Sequence, residues 1–371
     1  MESWNRNNFW SLWFSIMSKV EELWGLIDNG KQGKNIGLKV GLPNLDKILG
    51  GIQMGRYMTI SALSSVGKTS YVLYLLYRIL RDYKDKDVKV IYFSLELGFD
   101  VLLSKFLALY CAEESGVYLT TIDMFSYESP VSDANYQVML KGKEWLKSIE
   151  DRLIILDKGL SARILYSETL SIMKKFGTWD DVKKQFIPKN PNQKVFGVID
   201  HLLLVTPEQG RTLKEEMDLC SSYIVTLKRK LNMSWFVLMQ QNRNASSVER
   251  RKMDLNEPGL ADMMQSSAIA NDSDVVMQLY SPFREKIPTY RDYPVLGPNG
   301  FGDRLRSVIL SKNRFGLANK VIPMSFYGEV GWWKEIPKAA DIPDAKPYLD
   351  IHTNIQGDVA NNAKKEIIYN F

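Results

Sequence analysis

YMTISALSSVGKTS, residues 57–70, runs from an apolar, β-prone segment ending at Ala62 into a loop of small residues closed by Gly67, Lys68 and Thr69. A strand that turns through such a loop into a helix presents the backbone N–H groups of residues 63–69 as a nest at a helix N-terminus, where the dipole also favours anions. Ser64, Ser65, Val66, Gly67, Lys68, Thr69 and Ser70 are therefore expected to surround phosphates. Lys68 would reach the β- and γ-phosphates of ATP, and the Thr69 hydroxyl would ligate Mg²⁺. One position departs from the pattern, which asks for Gly where this chain has Ala62. A Cβ there restricts φ, so the loop is expected to close with modest strain. The competing reading is a surface turn that happens to spell GKT.

Composition narrows the rest. A chain of 371 residues has room for two to three domains, or for one α/β domain with insertions. Its 45% hydrophobic and 25% charged residues are those of an ordinary globular protein. A net charge of +5 is compatible with nucleic acid without pointing to it. Cys111 and Cys220 lack CxxC spacing, which argues against a disulfide framework or a zinc site and fits a reducing compartment. No apolar run reaches the roughly 18 residues of a membrane span, and the N-terminus lacks the order of a signal peptide. A cytoplasmic, soluble protein is expected.

Outward from the loop, residues 9–27 place Phe9, Trp10, Trp13, Ile16, Met17, Val20, Leu23, Trp24 and Ile27 at helical spacing, and residues 28–39 read as a Gly- and Lys-rich linker. That amphipathic helix must bury its stripe on its own domain, on a membrane or on another subunit; a polar face with no basic excess argues against the membrane. After the loop, VKVIYFSL (88–95) is a strand leading to Glu96, placed either to polarise a water or to open the next helix as a solvated carboxylate. Residues 178–194 and 281–302 read as polar, Pro-bearing insertions. VFGVID (195–200) is an apolar strand ending at Asp200, a candidate Mg²⁺ carboxylate at the edge of a parallel sheet. A strand at 234–239 leads to Gln240, and one at 306–311 leads to KNRFG with Lys312 and Arg314. Strands alternating with helices imply an α/β fold with a mostly parallel sheet and helices on both faces. All five features, the loop, Glu96, Asp200, Gln240 and the Lys312–Arg314 pair, are expected to share one sheet edge.

In this order the motifs GLPNLDKILGGIQMG, SSVGKT, VIYFSLE, VFGVIDHLLLV, WFVLMQQNR, LADMMQSSAIANDSDVVMQLY and SKNRFG resemble the RecA-like P-loop ATPase domain of DnaB-like replicative helicases, from about Gly41 to Trp333. The resemblance implies Glu96 as base toward water, Asp200 and Thr69 on Mg²⁺, Gln240 as γ-phosphate sensor, and Lys312 and Arg314 as a lysine and arginine finger inserted by a neighbour. It implies ATP hydrolysis between the subunits of a ring, a hexamer, moving 5′ to 3′ on single-stranded DNA, with a primase and a helicase loader as partners. The domains follow: 1–38 as the docking helix and its linker, 39–336 as the ATPase unit, 337–371 as an irregular tail. With fewer than 40 residues ahead of the ATPase unit, the family's N-terminal collar is expected to be missing, as in a phage-type protein. The family's DNA-facing Arg-Glu-Ser-Gly run is here Met264, Gln265, Ser266 and Ser267, which removes a phosphate contact and leaves Arg243, Arg250 and Arg251 nearby as the candidate DNA cations. Two other functions fit the same fold: a RecA-, RadA- or KaiC-like switch that assembles without unwinding, and a nucleotide-binding scaffold without turnover.

Overall fold

A computed structural model of the chain describes residues 6–182, 185–242, 257–263, 267–342, 344–351 and 355, with side chains from residue 19 onward except that of Ser267. The chain opens with helix α1 (Arg6–Lys31) and a short α2 (Pro43–Leu49), then strand β1 (Tyr57–Ala62) and α3 (Lys68–Asp82). Next come β2 (Val88–Ser94), α4 (Phe99–Ser115), α5 (Thr121–Met124), α6 (Asp133–Ser148), β3 (Leu153–Leu156) and α7 (Ala162–Phe176). A hairpin of β4 (Gly177–Asp180) and β5 (Gln185–Pro188) precedes β6 (Lys194–Asp200), α8 (Leu213–Leu231) and β7 (Ser234–Gln240). The last part holds α9 (Ser267–Asp272), β8 (Val275–Tyr280), a second small hairpin of β9 (Thr289–Tyr290) and β10 (Tyr293–Pro294), then β11 (Leu305–Asn313), β12 (Lys320–Tyr327), β13 (Trp332–Glu335) and α10 (Lys346–Leu349).

Nine strands form one sheet in the order β13-β12-β11-β8-β1-β7-β6-β2-β3. From β8 to β3 every pairing is parallel; β11, β12 and β13 continue the sheet antiparallel. The central strands are buried on both faces, which explains why they read as unbroken apolar runs. Alternate residues serve opposite faces: Phe196, Val198, Phe236 and Leu238 face α3 and α4, while Val195, Ile199, Trp235 and Val237 face α7 and α8.

Three expectations are revised. Helix α1 continues through Lys31, so the linker begins later than residue 28. The two insertions are not simply polar loops, because each contains an antiparallel hairpin. Ala339–Asp341 and Lys346–Leu349 form short helical turns, and Ala345 and Tyr348 pack with Tyr293, Val295 and Phe301, so that part of the tail is packed. Of the apolar stripe of α1, the described side chains of Val20, Leu23, Trp24 and Ile27 are 41 to 58% exposed.

Gly197 shows how tightly the central sheet is filled. It lies opposite Trp235 on the neighbouring strand, and a Cβ at 197 would come within 2.4 Å of that buried indole. Gly197→Ala is therefore expected to overpack the sheet and destabilise the protein by about 1–3 kcal/mol, seen as a lower midpoint in chemical denaturation.

Candidate active site

The loop after β1 is held from three sides. Ala62 is the last residue of β1, buried, in register with Gln240, and its carbonyl accepts the Gln241 N–H at 2.9 Å. Its backbone is extended, so a Cβ is at home there and the expected strain at Ala62 does not arise. The left-handed conformations fall later, at Ser65 (φ 60°) and Gly67 (φ 111°). Gly67 also has no room for a side chain, since a Cβ would lie 2.8 Å from the Trp333 ring and 3.2 Å from Phe326, which stack on each other. From β11, the buried Arg306 donates Nε–H to the Val66 carbonyl at 3.2 Å, while Asp303 accepts from its Nη2 at 2.9 Å. Burial lowers the Arg306 pKa to about 10, opposed by Asp303, so the guanidinium stays charged at neutral pH.

Asp200 lies at the centre of this group of side chains. Its carboxylate is fully buried, with Thr69 Oγ1 donating to Oδ1 at 3.1 Å and Tyr92 Oη donating to Oδ2 at 2.9 Å. Burial pushes its pKa up to about 6; the hydrogen bonds from Tyr92 and Thr69 and the charge of Lys68 pull it back, while Glu96 pushes it further. Lys68 is 9% exposed, and burial lowers its pKa against the pull of Glu96 and Asp200. Past the end of β2, the Leu95 N–H donates to the Asp200 carbonyl at 2.9 Å, which sets the half-exposed Glu96 beside His201. The Glu96 Oε2 and His201 Nε2 atoms are 3.8 Å apart. Gln240 Nε2 donates to Ser64 Oγ at 2.8 Å. Ser64, Lys68, Thr69, Glu96, Asp200 and Gln240 thus meet at the C-terminal edge of the parallel strands.

Lys312 and Arg314 do not join them. β11 runs against β8, so its end pairs with the start of β8: Asn313 lies opposite Val275. The pair therefore sits at the N-terminal edge, roughly 20 Å from the loop by the length of β1. There Lys312 Nζ donates to the carbonyls of Ala270 and Asn271 at 2.7 and 2.8 Å, and Arg314 Nη1 donates to Asp274 Oδ1 at 3.2 Å. A strand's apolar run carries no mark of its direction, which is why the sequence points to one common edge. The candidate DNA contacts Arg243, Arg250, Arg251, Met264, Gln265 and Ser266 lie outside the described residues; Ser267 opens α9. Sequence reasoning passes over Tyr92, His201 and Arg306. Tyr92 lies on the β2 face that also bears Val88 and Val90 and reads as another core residue, and His201 and Arg306 carry no spacing signal.

The donor set suits a magnesium nucleotide. A hydroxyl and a carboxylate are hard oxygen ligands, and Mg²⁺ commonly takes one or two such groups while completing its shell with phosphate oxygens and water. Among the described residues no group of three or more His, Cys, Asp or Glu forms a metal cage. Nor is any described helix long and apolar enough to cross a membrane.

Comparison with known proteins gives a consistent picture. The family model described as the DnaB-like helicase C terminal domain matches residues 37–335. A replicative DNA helicase DnaB of Helicobacter pylori (strain J99 / ATCC 700824) is 27% identical over 272 residues, 71% of this chain and 49% of the relative. A probable replicative DNA helicase of Trieres chinensis is 28% identical over 249 residues, 66% of this chain and 47% of the relative. The chain spans about half the length of these curated relatives. In fold it is similar to a solved ATPase domain, with TM-score 0.67 at 19% identity over 85% of this chain and 98% of that one. It is also similar to a DnaB-like replicative helicase studied for its interactions with primase, with TM-score 0.64 at 21% identity over 85% of this chain and 66% of that one.

Tyr92→Phe would strip one hydrogen bond from a buried carboxylate. The expected cost is about 1–3 kcal/mol at neutral pH, measured by chemical denaturation. The difference between variant and wild type should shrink as pH falls through about 6, where Asp200 takes up its proton and no longer carries a buried charge.

Proposed function

The chain belongs to the DnaB-like helicase C-terminal domain family, and from that premise we propose that it is the ATP-hydrolysing motor of a replicative DNA helicase. The observation that carries this reading is the Thr69–Asp200 contact, which joins the loop to a strand end with Lys68 and Glu96 alongside. Residues 39–336 form the motor unit, residues 1–38 the docking helix and its linker, and residues 337–371 an appended tail.

In this reading the loop holds the phosphates of ATP, with Lys68 on the β- and γ-phosphates and residues 64–70 around them. Thr69 and Asp200 would hold Mg²⁺, which would supply positive charge against that developing on the phosphates. Glu96 accepts a proton from a water whose oxygen bonds to the γ-phosphorus as the bond to the β–γ bridging oxygen breaks, leaving ADP and inorganic phosphate. Gln240, tied to Ser64 in the free loop, turns to the γ-phosphate. Burial of Lys68 and Asp200 strengthens each of these electrostatic contacts.

Two features support assembly. Lys312 and Arg314 lie at the edge opposite their own loop, so they reach a triphosphate only on another subunit, as a finger in trans does. The exposed Val20, Leu23, Trp24 and Ile27 of α1 offer a surface for docking on a neighbour. Identical contacts repeated head to tail close into a ring, here a hexamer. Single-stranded DNA would pass through it, moved 5′ to 3′ as the family resemblance implies, with a primase and a loader as partners in the cytoplasm.

ATP hydrolysis measured with and without single-stranded DNA tests the reading: DNA is expected to stimulate wild type, and Lys68→Ala is expected to fall to background. Turnover that survives Lys68→Ala would sink the loop assignment, and turnover indifferent to DNA would sink the helicase. In a second test Arg314→Ala and Glu96→Gln, each inactive alone, are expected to regain activity when mixed. Failure to recover at every ratio would place the finger within one chain.

A further inference from the structure

We propose that His201 positions the attacking water together with Glu96. The inference deepens the reading of this site as an ATPase and rests on it. His201 follows Asp200 directly and is 8% exposed, yet its Nδ1 is buried without a hydrogen-bond partner. Its other nitrogen, Nε2, is turned toward Glu96 at 3.8 Å, too far for a direct hydrogen bond. Burial lowers the pKa of the ring, with Glu96 raising it and Lys68 lowering it further, and Glu96 is the carboxylate that Nε2 approaches.

The separation suits a shared third partner. A water about 2.8 Å from both Nε2 and Oε2 would meet them at roughly a right angle, an arrangement that leaves an oxygen lone pair free to point at phosphorus. Glu96 is half exposed, in the bend that follows β2. His201 is fixed: its backbone carbonyl accepts the Leu204 N–H at 3.0 Å and opens a short 3₁₀ turn, and Leu202 beside it is buried in the core. A buried imidazole and a half-exposed carboxylate together define a point in space that neither defines alone.

The test is steady-state ATP hydrolysis of the full chain with His201→Phe, which keeps a ring of similar bulk, and His201→Gln, whose amide places a polar atom near the position of Nε2. His201→Phe is expected to lower kcat about tenfold or more with KM, nucleotide affinity and denaturation midpoint unchanged, and His201→Gln is expected to recover part of the rate. Wild-type turnover in His201→Phe would overturn the proposal, as would a rate loss matched by lost nucleotide affinity or one that His201→Gln fails to relieve. If His201→Phe does not fold, His201→Asn, too short to reach the water, replaces it with the same expected outcome. Lys68→Ala separates the two levels: turnover surviving in Lys68→Ala defeats the ATPase reading itself, whereas its loss there beside full activity in His201→Phe defeats only the role of His201.

Discussion

A carboxylate without water is the constraint around which this structure is arranged. Asp200 is buried completely, and ionising it there is costly enough to push its pKa up to about 6. Both of its oxygens are consequently occupied, one by Thr69 from the start of α3 and the other by Tyr92 from the adjacent strand. Those two bonds tie three elements of the sheet edge together. They also leave a buried negative charge facing a buried ammonium, that of Lys68, across a space where a magnesium triphosphate would neutralise both.

The loop itself relies on the far half of the sheet. Arg306 on β11 and the stacked Phe326 and Trp333 on β12 and β13 press on Val66 and Gly67 from beneath. The antiparallel strands thus support the loop, which explains why large aromatic side chains at the end of the matched region are buried. Glu335 extends the same support by accepting the Asn44 and Leu45 N–H groups at 2.9 to 3.0 Å, which caps α2 and fastens the segment before β1.

Much of this is legible in the residues. Strands buried on both faces announce themselves as apolar runs, and a loop whose spacing is dictated by phosphate geometry announces itself as GKT after five residues. Strand ends at Asp200 and Gln240 follow from those runs, and so does their meeting with the loop. What is not legible depends on direction and on neighbours. Nothing in SVILSKNR says that the strand runs against β8, so the expected place of Lys312 and Arg314 is wrong by the length of a strand. Tyr92 and Arg306 look like core and surface residues because their roles are set by partners 108 and 240 positions away. Ala62 looks like a defect because the loop pattern prefers glycine there, whereas in this chain the left-handed turns fall at Ser65 and Gly67.

β11 begins beside the phosphate loop, where Arg306 grips Val66, and ends at the other rim, where Lys312 and Arg314 are anchored on α9 and Asp274. A strand laced on both sides to its neighbours keeps its length, about 30 Å for nine residues. It behaves as a tie-rod: its two ends cannot drift apart or together without tearing the ladder between them. In a closed circle of such chains, each rod would fix the distance from one chamber to the next, and the spacing of the chambers would be set by backbone rather than by side chains.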